Sequence, residues 1–343
     1  MRGTKALNWQ SCNHLPIAIG TIAMALFWVA PAASRAQNIY VTESGTVSYN
    51  GMVGEYNATT GASINTSLTN GLAWPGGLAL SGNILYIPNY LRDTVGEYDA
   101  TTGAVINATF ISGLGGPEYV AISGNILYVT EYNSNTVGEY NATTGAAINA
   151  TFISFLYSLD GLALSGNDLY LVNSSSPYPG LGTSRVGEYN ATTGATINAS
   201  LIDGLTNPAG LALSGSNFYV SSLGSVVVGK YNATTGATIN ASFIKGVSNA
   251  SGLAVYGGSL YVTESGTGTN DGVVGEYDAT TGSTINASLI KGLYNPFAIA
   301  ISPVPEPGPW AEVTIGLSLL GGIKCFRRTG VRASKACVTR WVD

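Results

Sequence analysis

The chain has 343 residues, which is enough for one large or two ordinary domains with a sizeable core. It is rich in glycine (45 residues), only 10% of its residues are charged, and its formal net charge is −5. Residues 37–303 hold 16 acidic and 5 basic residues, a balance that disfavours nucleic acid, whose phosphates demand Lys and Arg. The same stretch has neither Cys nor His, because the three cysteines are Cys12, Cys325 and Cys337 and the one histidine is His14. Disulfides, Cys/His zinc sites and Ser–His or Cys–His nucleophiles are thereby excluded from the body of the chain.

Residues 1–36 carry the parts of a secretory signal: Arg2 and Lys5, an apolar run over 15–29, and small residues at Ser34 and Ala36. This predicts an exported protein whose mature chain begins at Gln37. The run is short of the ~20 apolar residues that a membrane span needs, which favours cleavage over an uncleaved anchor.

From Gln37 onward the sequence repeats itself. Val-Gly-Glu-Tyr begins at Val53, Val95, Val137, Val186 and Val274, and Val-Gly-Lys-Tyr begins at Val228; the spacings are 42, 42, 49, 42 and 46. Asn or Asp and then Ala-Thr-Thr-Gly follow each copy. One unit predicts four short strands, A at 77–80, B at 84–87, C at 95–98 and D at 106–111. Ser81-Gly82-Asn83 joins A to B and 99–103 joins C to D, both of turn-forming composition. Four short strands at a period in the forties predict propeller blades. The chain enters at a strand B, Ile39-Tyr40-Val41, and leaves at a strand A over 298–301. The expected fold is therefore all-β. It is a six-bladed propeller of four-stranded blades over 37–302, closed where the C-terminal strand joins the N-terminal blade and covers its edge. With these motifs the body resembles NHL-type and quinoprotein-type propeller repeats, a likeness that implies fold and not activity. Quinoprotein propellers carry a Trp docking motif in each blade; this body has the single tryptophan Trp74, so that cofactor is not expected.

The turns from A to B and from C to D share one end of the blades and are nearly invariant. The B-to-C loops lie at the other end and vary, with steps of 10, 6, 6, 13, 6 and 10 residues from the end of strand B to the first Val of strand C. Variable loops on a rigid scaffold are where binding resides. Just before strand A, the six positions at this end are Gly76, Glu118, Asp160, Ala209, Ser251 and Phe297. Just after strand B they are Glu43, Asn89, Glu131, Asn173, Ser222 and Glu264. Glu118, Glu131, Asp160 and Asn173 belong to neighbouring blades and are candidate ligands for a divalent cation. Carboxylate and amide oxygens suit Ca²⁺. Gluconolactonase-type propellers hold a cation at the mouth with such groups, and this set is similar in kind; strand-end polar capping is the alternative for the same residues. Trp74, Tyr90, Tyr132, Tyr157, Tyr178 and Tyr294 decorate this end and offer flat faces to a sugar, with burial between blades as their alternative.

The C-terminal segment, 303–343, opens with Val304-Pro305-Glu306-Pro307, continues with an apolar stretch over 310–323, and reaches Lys324 and Arg327-Arg328. That order resembles the PEP-CTERM sorting signal of Gram-negative, exopolysaccharide-making bacteria. The resemblance implies a short hydrophobic transmembrane helix and transient residence in the inner membrane. It also implies processing by an exosortase-type protease near Pro-Glu-Pro and delivery to the cell surface or matrix. Glu312 inside the stretch and the residues beyond Arg328 depart from that pattern. Together these readings predict an exported surface or matrix protein whose propeller face binds a glycan, a cation or a protein partner without catalysis. A divalent-cation-dependent lactonase-type hydrolase and a passive spacer or coat are the alternatives.

Overall fold

The computed structural model describes residues 37–302, apart from 46–48, 155, 157, 175–183, 224–225 and 267–269. The leader at 1–36 and the tail at 303–343, with its sorting motif and expected helix, lie outside the described residues. Six four-stranded antiparallel sheets make up the fold, each a blade. The inner strands are Pro296–Ile301 for the first blade, then Ala79–Ser81, Pro117–Ser123, Leu159–Ser165, Pro208–Ser214 and Ala250–Tyr256.

The ring closes as the repeat count predicts. Pro296–Ile301 pairs with Asn38–Glu43, in the register Ile39 to Ile301, Tyr40 to Ala300 and Val41 to Ile299. Chain entry and exit thus share one sheet, and the closing strand covers the inner edge of Asn38–Glu43.

Each recurring letter of the repeat has a packing task. The strand-B tyrosine donates its hydroxyl to the Ala carbonyl in the next blade's hairpin: Tyr86 to Ala142 at 2.9 Å, Tyr128 to Ala191 at 2.6 Å, Tyr219 to Ala279 at 2.5 Å. The Asn or Asp opening that hairpin accepts two backbone amides, as Asn57 does from Thr59 at 3.0 Å and Thr60 at 2.9 Å, so either residue serves. The Gly of Val-Gly-Glu-Tyr leaves room for the tyrosine two residues on, because a Cβ on Gly138 would lie 2.4 Å from the Tyr140 ring. Six apolar clusters fill the spaces between blades. The cluster joining Ile39, Val41 and Tyr56 to Tyr261, Val274 and Ile290 seals the first blade against the last.

Candidate functional site

At the variable-loop end the inner strands do not begin smoothly. In the third blade Pro117 pairs with Glu131 and Val120 with Val129, so one extra residue bulges from the inner strand. The same shift occurs at Leu159–Leu162, Pro208–Leu211 and Ala250–Leu253. Bulges re-aim side chains, and these lie at Glu118 and Asp160. The strands thus start earlier than the sequence suggested, and both acids belong to the bulged strand ends. The freed amides go to a hydroxyl on the neighbouring strand: Tyr119 N–H to Thr130 Oγ1 at 2.9 Å, Gly210 to Ser221 at 2.7 Å, Gly252 to Thr263 at 2.7 Å.

The second blade breaks this pattern. Pro88 stands where four other blades carry Thr or Ser and the fourth blade carries Val172, and the second blade's inner strand starts only at Ala79. The Gly77 amide, lacking that hydroxyl, donates instead to the Glu118 carbonyl at 2.7 Å. Gly76 allows the approach, since a Cβ there would lie 2.0 Å from the Glu118 oxygen. Glu118 is therefore pinned through its backbone while its side chain faces the mouth.

Glu118 and Asp160 come together. Burial, and then the charge of Asp160, push the Glu118 carboxyl above the usual carboxylate range. Burial likewise raises Asp160, opposed by a hydrogen bond of 2.5 Å from the Ser174 hydroxyl. Glu118 Oε2 is shielded from solvent and has no hydrogen-bond partner among the described residues. Beside it Tyr119 reaches into the central channel, which narrows to a cavity of about 80 Å³ among Gly77, Gly161, Gly210 and Gly252. The buried Tyr119 hydroxyl has no hydrogen-bond partner either.

Glu131 and Asn173 are placed differently. Glu131 Oε2 accepts the Gly115 amide at 2.6 Å and Oε1 accepts the Tyr140 hydroxyl at 3.2 Å. Glu264 repeats the arrangement with Ser248 and Tyr277, and Glu43 accepts the Tyr294 amide at 2.6 Å. Asn173 is buried at the matching position, where Asn89 accepts the Ala73 amide at 3.1 Å. Glu43, Asn89, Glu131 and Glu264 thus tie the connection leaving one blade to the sheet of the next. Among the described residues no group of three or more His, Cys, Asp or Glu could hold a metal. Two carboxylates are a thinner donor set than the 6–8 oxygens Ca²⁺ usually takes.

Above Glu118 opens a pocket of about 330 Å³, lined by Ser44, Trp74, Pro75, Gly76, Tyr90, Tyr132 and Phe297. Its aromatic wall is continuous. Trp74 and Tyr90 have ring centroids 6.0 Å apart, Tyr90 and Tyr132 6.3 Å, and Phe297 meets Tyr119 at 5.5 Å. The Tyr90 hydroxyl donates to Asn133 at 3.1 Å. Tyr294 lines a different cleft with Glu43 and Met52; Tyr157 and Tyr178 lie outside the described residues.

Trp74 has an unusual backbone. Its φ is 51°, in the left-handed region. The same turn recurs in every blade at Gly116, Ser158, Asn207, Asn249 and Asn295, all with positive φ. Gly and Asn tolerate that conformation, whereas a bulky residue there is strained. Burial does not compensate, because Trp74 is 52% exposed. The repeat register held this signal: Trp74 is the position's one aromatic residue.

The fold defined by these sheets is a six-bladed propeller, and solved structures share it. A chain of the nidogen/laminin complex aligns with a TM-score of 0.61 at 15% identity, covering 78% of this chain and 99% of that one. A gluconolactonase from Xanthomonas campestris aligns with a TM-score of 0.54 at 18% identity, covering 65% and 78%. No family model and no curated protein matches the chain.

Proposed function

We propose that this chain is an exported binding protein of the cell surface or extracellular matrix, and that the propeller mouth holds its ligand without catalysis. The observation that carries the reading is Trp74, strained and half exposed over the pocket where five blades carry Gly, Ser or Asn. Strain that folding does not repay concentrates at functional sites. The aromatic wall suits a glycan, and a matrix exopolysaccharide is the partner that fits the sorting tail. In this reading the leader directs export. The tail, through Val304, Pro305, Glu306 and Pro307 and the Arg327-Arg328 pair, lodges briefly in the inner membrane until an exosortase-type protease acts on it.

A lactonase is the second reading. The Glu118–Asp160 pair favours it, because a carboxyl with a raised pKa can serve as a general base, and a gluconolactonase shares the fold. Incubating the purified protein with glucono-δ-lactone, with and without Ca²⁺, Mn²⁺ or Zn²⁺, separates the two. The binding reading predicts hydrolysis at the spontaneous rate, together with saturable glycan binding lost in Trp74→Asn. Turnover abolished by Glu118→Gln would replace it with the lactonase. Neither turnover nor binding would leave a passive spacer.

A further inference from the structure

We propose that the mouth takes the protonated primary amine of an amino sugar, so that the ligand is a glycan with free, unacetylated amines; the inference rests on the reading of the mouth as the binding face. Glu118 lines the pocket, its Oε2 is buried and lacks a hydrogen-bond partner among the described residues, and its acidic neighbour is Asp160 rather than a base. Burial and Asp160 favour the protonated carboxyl in the unliganded fold, and a cationic donor reaching Oε2 would let it ionise as a charge-assisted pair.

The surroundings narrow the choice of cation. The wall carries the rings of Trp74, Tyr90 and Tyr132, and aromatic π systems attract organic ammonium groups. A hard divalent ion prefers oxygen ligands to such faces. A quaternary ammonium can sit against aromatic faces but has no N–H for Glu118 Oε2, whereas a primary ammonium brings three donors. The rings are tilted, Trp74 to Tyr90 by 50° and Tyr90 to Tyr132 by 60°, and spread along a wide wall. A pyranose can lay its C–H faces on such a wall; the linear stem of a lysine covers little of it. The pocket volume, about 330 Å³, lies within the range of small-molecule sites. The acidic balance of residues 37–303 favours a basic glycan over an anionic one.

The test is calorimetric titration of the full chain with a glucosamine tetramer, its fully N-acetylated counterpart, Nα-acetyl-lysine amide and tetramethylammonium. The glucosamine tetramer should bind at least about tenfold more tightly than each of the others, a difference well resolved in Kd. Glu118→Gln, checked for folding by circular dichroism, should lose that preference, while the acetylated comparison on the unaltered protein needs no variant. Equal affinity for the acetylated tetramer would overturn the amine and leave a glycan-binding mouth standing. Equal affinity for the lysine derivative or tetramethylammonium would overturn the sugar. If only a neutral glycan binds, in a Trp74-dependent manner, this inference fails alone. If no glycan binds, it fails together with the reading beneath it.

Discussion

Thr42 Oγ1 accepts the backbone amide of Ala298 at 2.9 Å, joining residues 256 positions apart. The same hydroxyl donates to the Gly76 carbonyl at 3.0 Å, so one side chain fastens the closing strand to its own blade and to the next. Thr42→Val keeps the shape and strands a buried amide and carbonyl. It should cost about 1–3 kcal/mol, read as a lower urea midpoint with an unchanged slope. A chain ending before Ala298 should lose its cooperative melt, and one ending at Pro303 should keep it. Identical melting of the two truncations would contradict the closed ring.

Trp74→Asn should stabilise the fold, because Asn suits the left-handed turn that Asn207, Asn249 and Asn295 already occupy. Relief of about 1 kcal/mol is expected, seen as a rise in Tm, accompanied by loss of ligand binding. A destabilised variant would show that the tryptophan serves packing instead.

Glu118→Gln should change the pH dependence of stability. Burial and Asp160 raise the proton affinity of Glu118 in the folded chain. The folded state therefore holds more protons than the unfolded one as pH climbs out of the ordinary carboxylate range. Stability is then fullest at low pH and falls until the raised folded pKa is passed. The variant cannot titrate there. Its gain over the parent should be smallest below about pH 4, grow as pH rises, and level off. Denaturant midpoints across pH check this, and a gain that shrinks with rising pH would reverse the sign argued here.

Glu131→Ala leaves the Gly115 amide and the Tyr140 hydroxyl without their acceptor. Destabilisation of about 1–3 kcal/mol should follow, independent of added Ca²⁺. A loss that appears only in the presence of Ca²⁺ would instead make Glu131 a ligand.

The blades and their closure were legible because they rest on local chemistry that recurs. The Asn57 and Asp99 turns, the Gly138–Tyr140 packing and the strand entering at Ile39 are each spelled out in the repeat. Glu118 and Glu131 were not separable in the same way, since both stand as acids at strand ends. What divides them is a bulge after Pro117 and the donors that reach Glu131, Gly115 and Tyr140. The position of Glu118 depends further on Pro88, whose missing hydroxyl sends the Gly77 amide across to the next blade. Phe297 reaches the pocket only because the C-terminal strand closes the first blade beside the Trp74 turn.

Hydrogen exchange of the intact protein with and without a bound glycan tests most directly whether the mouth is the working face. The account predicts slowed exchange at the Trp74–Gly76 turn, Tyr90, Tyr132, the bulge beside Glu118 and the strand end at Phe297, with the hairpins at 99–103 and 141–145 unchanged. Protection confined to those hairpins, at the opposite end of the blades, would contradict it.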